Sequence, residues 1–207
     1  MFEYISQHPM AGVALALLAV LTVFVCLKAM LASRKRSEER ERIIADIEKE
    51  KALRKEFKHV DETTFAQGKD NYRLITGMCA HVQQNIEKKE DMTAAFYELS
   101  EVEKYVYALG YVFEDSKKGL SDFFRSNGEP LLSTADKAVS EIVGGRFSEI
   151  FSSEFVMLDE NDETTSVDND ALAKMDEEFR AVLDGKGEEI YSAVAEYIRS
   201  NKDVFLA

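Results

Sequence analysis

Side chains able to do chemistry are few and scattered in this chain of 207 residues. Its two cysteines, Cys26 and Cys79, are too few for a disulfide framework, and His8, His59 and His81 do not cluster as metal ligands. Cys79 and His81 lie two residues apart, and on a helix such neighbours point away from each other, so they make no nucleophile–base pair. Cys79 also shares helical spacing with Tyr72, Ile75, Val82 and Ile86, which reads as a buried structural thiol. Glu56 and His59 form a single Glu-x-x-His pair. A di-metal bundle needs two such pairs on facing helices, and Lys55 and Lys58 mark this one as solvated. Gly144-Gly145 and Gly185-Lys186-Gly187 lack the spacing and the following Gly-Lys-Ser/Thr of a phosphate cradle and read as helix stops. The expectation is a protein that is not an enzyme, with no catalytic residue, no cofactor and no metal site.

Acids dominate instead. There are 39 Asp+Glu against 26 Lys+Arg, a formal net charge of −13. Between Leu158 and Asp170 the chain reads LDENDETTSVDND, in which Asp159, Glu160, Asp162, Glu163, Asp168 and Asp170 are unopposed by any base. The segment lacks the glycine at position six and the glutamate at position twelve that a helix-loop-helix calcium site requires, so a solvated surface loop is expected. These six, with neighbouring Asp176, Glu177 and Glu178, are the candidate partner-binding acids.

The elements that carry them follow from the pattern of charge and hydropathy. Met10 to Leu27 is an eighteen-residue run in which Thr22 is the only polar side chain, and beyond Lys28 the apolar pattern continues to Ala32. At ~1.5 Å rise per residue the stretch reaches roughly 34 Å, enough for a ~30 Å hydrocarbon core, with Lys28 snorkelling to the headgroups. The leading segment 1–9 has no Lys or Arg, which argues against a cleaved secretory signal. Lys28, Arg34, Lys35 and Arg36 follow the run, so the positive-inside rule places the N-terminus outside and the rest in the cytoplasm.

From 33 to 60 there are ten Lys/Arg against seven Asp/Glu; from 61 to 207, fifteen against thirty-one. A basic, Gly- and Pro-free stretch with Glu38–Arg42 and Glu50–Arg54 pairs at i,i+4 therefore precedes an acidic body, and reads as a solvated helical stalk. Within the body, apolar stripes at helical spacing recur through residues 72–86, 95–113, 120–124, 132–142, 147–155, 172–183 and 190–198, with no strand alternation. Gly77 and Gly110 read as weak points and Pro130 as a helix opening. The expected fold is all-α: an N-terminal tail (1–9), a single transmembrane anchor (10–32), a charged helical stalk (33–60) and a compact acidic domain (61–207).

Three landmarks in the acidic body resemble a bacterial all-helical family named after a neisserial DNA-mimic protein. They are Lys117-Lys118-Gly119-Leu120-Ser121-Asp122-Phe123-Phe124 with Asn127-Gly128, then Ala138-Val139…Ile142-Val143-Gly144, then Met175-Asp176-Glu177-Glu178-Phe179. The similarity spans roughly residues 90–207, with Lys117-Lys118 in place of the family's Asn-Gly and Asp122 in place of its Gln. It implies an acidic protein that binds a basic, DNA-binding protein by imitating DNA.

A body with a net charge of −16 repels phosphates, so direct nucleic-acid binding is not expected, whereas a basic protein partner is attracted. The reading is a single-pass protein of the bacterial inner membrane whose cytoplasmic domain binds another protein, with a homodimer also compatible. Its alternatives are a toxin-immunity or inhibitor protein and a structural adaptor of a membrane-associated complex.

Overall fold

The computed structural model describes residues 28, 30, 36, 40–66, 70–159 and 168–206. They fall into two compact units, Met1–Ala52 and Leu53–Ala207. In the first, Lys28, Met30 and Arg36 are helical and exposed, and residues 40–52 are helical with every side chain exposed, including Ile43, Ile44 and Ile47. Among the described residues no helix is long and apolar enough to cross a membrane. The segment 10–32 expected to do so lies outside them except for Lys28 and Met30, as do Arg34 and Lys35.

The second unit is all helical, with no strand among its described residues, in agreement with the all-α expectation. It starts at Leu53, whereas the charge pattern changes near residue 61. Phe57 is 5 % exposed and Leu53 and Val60 pack against the same core, so the last residues of the basic stretch belong to the body. Arg54 donates to Glu87 at 2.6 Å, and Arg73 pairs with Glu56. His81 bonds the Phe57 carbonyl through Nδ1 at 2.8 Å.

A short 3-10 turn, Glu62–Phe65, is capped by Asp61. Eight helices follow: α1 (Asn71–Ile86), α2 (Met92–Glu98), α3 (Glu101–Asp115), α4 (Leu120–Ser126), α5 (Leu131–Ala138), α6 (Gly145–Asp159), α7 (Asn169–Ser200) and α8 (Asp203–Leu206). Each long helix buries one apolar stripe. On α1 it is Leu74, Ile75, Met78, Cys79, Val82 and Ile86, and on α3 Tyr105, Val106, Leu109, Val112 and Phe113. Helix α3 packs against α1 and α5, and α7 packs against α1 and α6. Phe123, Phe147, Phe151 and Phe179 are fully buried where α4, α6 and α7 meet. Truncating such a phenylalanine to alanine costs roughly 3–5 kcal/mol.

The structure corrects two boundaries. The stripe read as one helix over 95–113 is broken at Leu99: Asp91 caps α2, and Ser100 restarts the chain as α3 in a reciprocal capping box with Glu103. Conversely, Gly185-Lys186-Gly187 stops nothing, and α7 runs unbroken through it for 32 residues. Two glycines cost about 2 kcal/mol of helix propensity. The helix is held on both sides of them by burial of Leu172 and Phe179 before and Ile190, Val194 and Ile198 after. Pro130 is the N-cap of α5, one residue before its first helical position. Gly144 does end its helix: a π-helical turn, Val139–Val143, terminates there with Gly144 at φ +64°, a conformation that favours glycine.

Glycines that read as weak points are points of close approach. A Cβ on Gly77 would overlap the ring of Phe57, and one on Gly110 would overlap Cys79, so these positions let the elements they face pack closely.

Candidate functional site

Cys79 is a free, buried thiol whose sulfur donates to the Tyr107 carbonyl at 3.5 Å. Burial pushes its thiol well above the ordinary range, with the carboxylates of Glu114 and Asp115 adding to the rise, so no thiolate is available for attack at neutral pH. His81 Nε2 faces the Asn85 amide at 3.4 Å while Nδ1 donates to Phe57, which engages both ring nitrogens structurally. Among the described residues no group of three or more His, Cys, Asp or Glu is arranged to hold a metal ion.

The candidate acids separate by what each one touches. Glu160, Asp162, Glu163 and the side chain of Asp159 lie outside the described residues. Asp168 is the N-cap of α7, accepting from the N–H groups of Asp170 at 3.0 Å and Ala171 at 3.1 Å. Asp176 accepts from Ser121 and so caps α4, and Glu178 pairs with Arg146 of α6. Each of these three carboxylates has an internal structural partner. Asp170 and Glu177 have no such side-chain engagement and stand exposed on α7.

The continuous helix adds acids that the sequence pattern missed. Asp170, Glu177 and Asp184 recur every seven residues, two turns apart, so they share a face with about 10.5 Å between them. Beyond them Glu188, Glu189 and Glu196 line a shallow depression with Ser192 and Ala193. Asp184, Glu188, Glu189 and Glu196 are all exposed and make no ion pair or hydrogen bond among the described residues. Lys174 and Lys186 are exposed cations on the same helix. Reading the glycines as a stop divided these acids between two helices and concealed their alignment. The seven-residue recurrence was the signal that could have found it.

Among the described residues six of the α7 acids are free of internal partners, spread along the 26 helical steps from Asp170 to Glu196. At ~1.5 Å per residue that is one charge per roughly 6.5 Å, against one per ~3.4 Å along a single DNA strand. Glu189 and Glu196 lie about a quarter turn round from the line of the other four, so the exposed side of α7 is at most about half as dense as a nucleic-acid strand, sufficient to steer a cationic surface but not to reproduce a phosphate backbone charge for charge.

No protein-family model, curated protein or solved structure matches this chain.

Proposed function

We propose that residues 53–207 form an acidic protein-binding module that captures a basic partner on the exposed face of α7. The apolar run 10–32 tethers the module to a membrane. The observation that carries this reading is the row of exposed, unpaired carboxylates on one long helix: Asp170, Glu177, Asp184, Glu188, Glu189 and Glu196. Asp170, in the first turn of α7, is favoured by the helix dipole, but the other five carboxylates gain nothing comparable from their positions, and their mutual repulsion opposes the fold. An arriving cationic surface relieves that repulsion. The reading keeps the general character of a DNA mimic, a helical protein offering negative charge to a nucleic-acid-binding protein, with the contacts moved from the 159–170 loop toward the second half of α7.

The test is affinity purification of the tagged full chain from detergent at low and high salt, beside a variant in which Asp184, Glu188, Glu189 and Glu196 are replaced by their amides. A basic partner that co-purifies at low salt, is released at high salt and is lost from the amide variant supports the proposal. A partner that survives high salt and ignores the substitutions overturns it in favour of an adaptor role.

A further inference from the structure

Glu154 is fully buried on α6, and neither of its carboxyl oxygens has a hydrogen-bond partner. It lies three residues after Phe151 and seven after Phe147, on the face that packs into the aromatic cluster. Phe151 meets Phe123 at 5.7 Å and Phe124 at 5.0 Å between ring centroids, and Phe124 stacks on Phe155 at 6.0 Å. A carboxylate in such a place has lost its water and gained no donor, so the neutral acid is the form that fits.

The charged groups around it reinforce this. Helix α7 brings the Asp176 carboxylate, which disfavours a second negative charge, and α4 brings Arg125, which opposes that effect from an exposed position. From α5, Asp136 is engaged by Ser152 of α6 at 2.5 Å. In the π-helical turn, Glu141 accepts from Tyr105 at 3.0 Å. On α6 itself, Arg146 is paired with Glu149 at 3.0 Å and with Glu178. None of these hydrogen bonds reaches Glu154.

We propose that Glu154 is a proton-operated latch on α4: protonated, it lets α4 lie closed on α6 and α7, and its ionisation favours an open state with Phe123 and Phe124 exposed. Helix α4 is the element to move because it is only seven residues long and its N-terminus is held by Asp176, the same carboxylate that an ionised Glu154 would repel. The direction follows from linkage. Burial raises the Glu154 carboxyl from 4.5 to about 8. The closed state thus holds a proton that the open state releases, so closure is firmest below about pH 4.5. It weakens as pH rises and reaches its full loss above about pH 8.

Hydrogen exchange of the full chain in detergent, corrected for the intrinsic pH dependence of exchange, tests the latch in wild type and E154Q. Protection of α4 amides in the wild type is expected to fall by up to about tenfold per pH unit between about pH 5 and pH 8 and then level off. E154Q, which cannot ionise, is expected to show no such slope. Equal slopes in the two proteins, or a flat wild type, would overturn the proposal. The infrared carbonyl band of a protonated carboxyl, present in the wild type at pH 6 and absent from E154Q or E154L, gives a second readout that does not depend on α4 moving. Its absence from the wild type at pH 6 would overturn the proposal as well.

Discussion

Asp176 of α7 accepts two hydrogen bonds from Ser121, 55 residues earlier in the chain: the backbone N–H at 2.9 Å and the hydroxyl at 2.7 Å. It supplies from another helix the cap that α4 lacks locally, because its N-cap residue is Gly119, which has no side chain to offer. The glycine is required for the same reason. A Cβ at position 119 would lie 2.6 Å from the Asp176 carboxyl group, so the bare backbone and the borrowed carboxylate are matched.

Removing that cap should therefore weaken the body. D176A is expected to destabilise it by about 1–2 kcal/mol in urea unfolding, the range for a lost helix cap, with D176N losing less. G119A should destabilise too, through the clash, and part of that cost should vanish in the D176A background. Additive effects would mean that the two residues do not share one site.

Phe57 and Gly77 give a second coupled pair. G77A forces a methyl group into the space held by the Phe57 ring, and overpacking of this kind typically costs about 1–3 kcal/mol. F57A is expensive alone because it empties a buried position, yet it opens the space that G77A needs. In a double-mutant cycle G77A is expected to cost far less with Ala at 57 than with Phe. An unchanged cost would show that Phe57 is not docked on α1, and that the body begins after it.

What the sequence made legible was mostly local. The apolar stripes of α1, α3, α6 and α7 are visible as spacing because each helix buries one continuous face, and Asp91 is visible as a cap because the residues it serves are adjacent. The break at Leu99 was also legible, since Ser100-x-x-Glu103 before an apolar run is the pattern of a capping box. The stripe on either side keeps helical spacing, and this conceals the break. The role of Asp176 was not legible: its partner lies 55 residues away, and nothing in the neighbourhood of either residue announces the other. Glu154 was hidden in the same way, an acid among many whose burial depends on how three helices meet.

The thiol of Cys79 should behave as core. With the sulfur buried and its pKa raised by burial, alkylation by iodoacetamide at pH 8 is expected to proceed only through opening of the body. The rate at Cys79, followed on its own peptide by mass spectrometry so that Cys26 does not interfere, should rise steeply with denaturant. Labelling in the absence of denaturant as fast as in a denatured sample would show that α1 and α3 do not pack as described.

Gly185 offers the sharpest test of α7 as one helix. It sits in the interior of the helix, exposed, and a Cβ built there would meet nothing within 4 Å. Glycine in such a position loses more backbone freedom on folding than alanine does, so G185A should stabilise the body by about 0.5–1 kcal/mol and raise helicity slightly. Were the chain to turn at Gly185-Lys186-Gly187, as its composition first suggests, alanine would instead be neutral or harmful. Urea unfolding of G185A decides between these outcomes. It also bears on function, because only an unbroken α7 places Glu177 and Asp184 on the same face as Glu188, so destabilisation by G185A would remove the geometric basis for a single acidic surface.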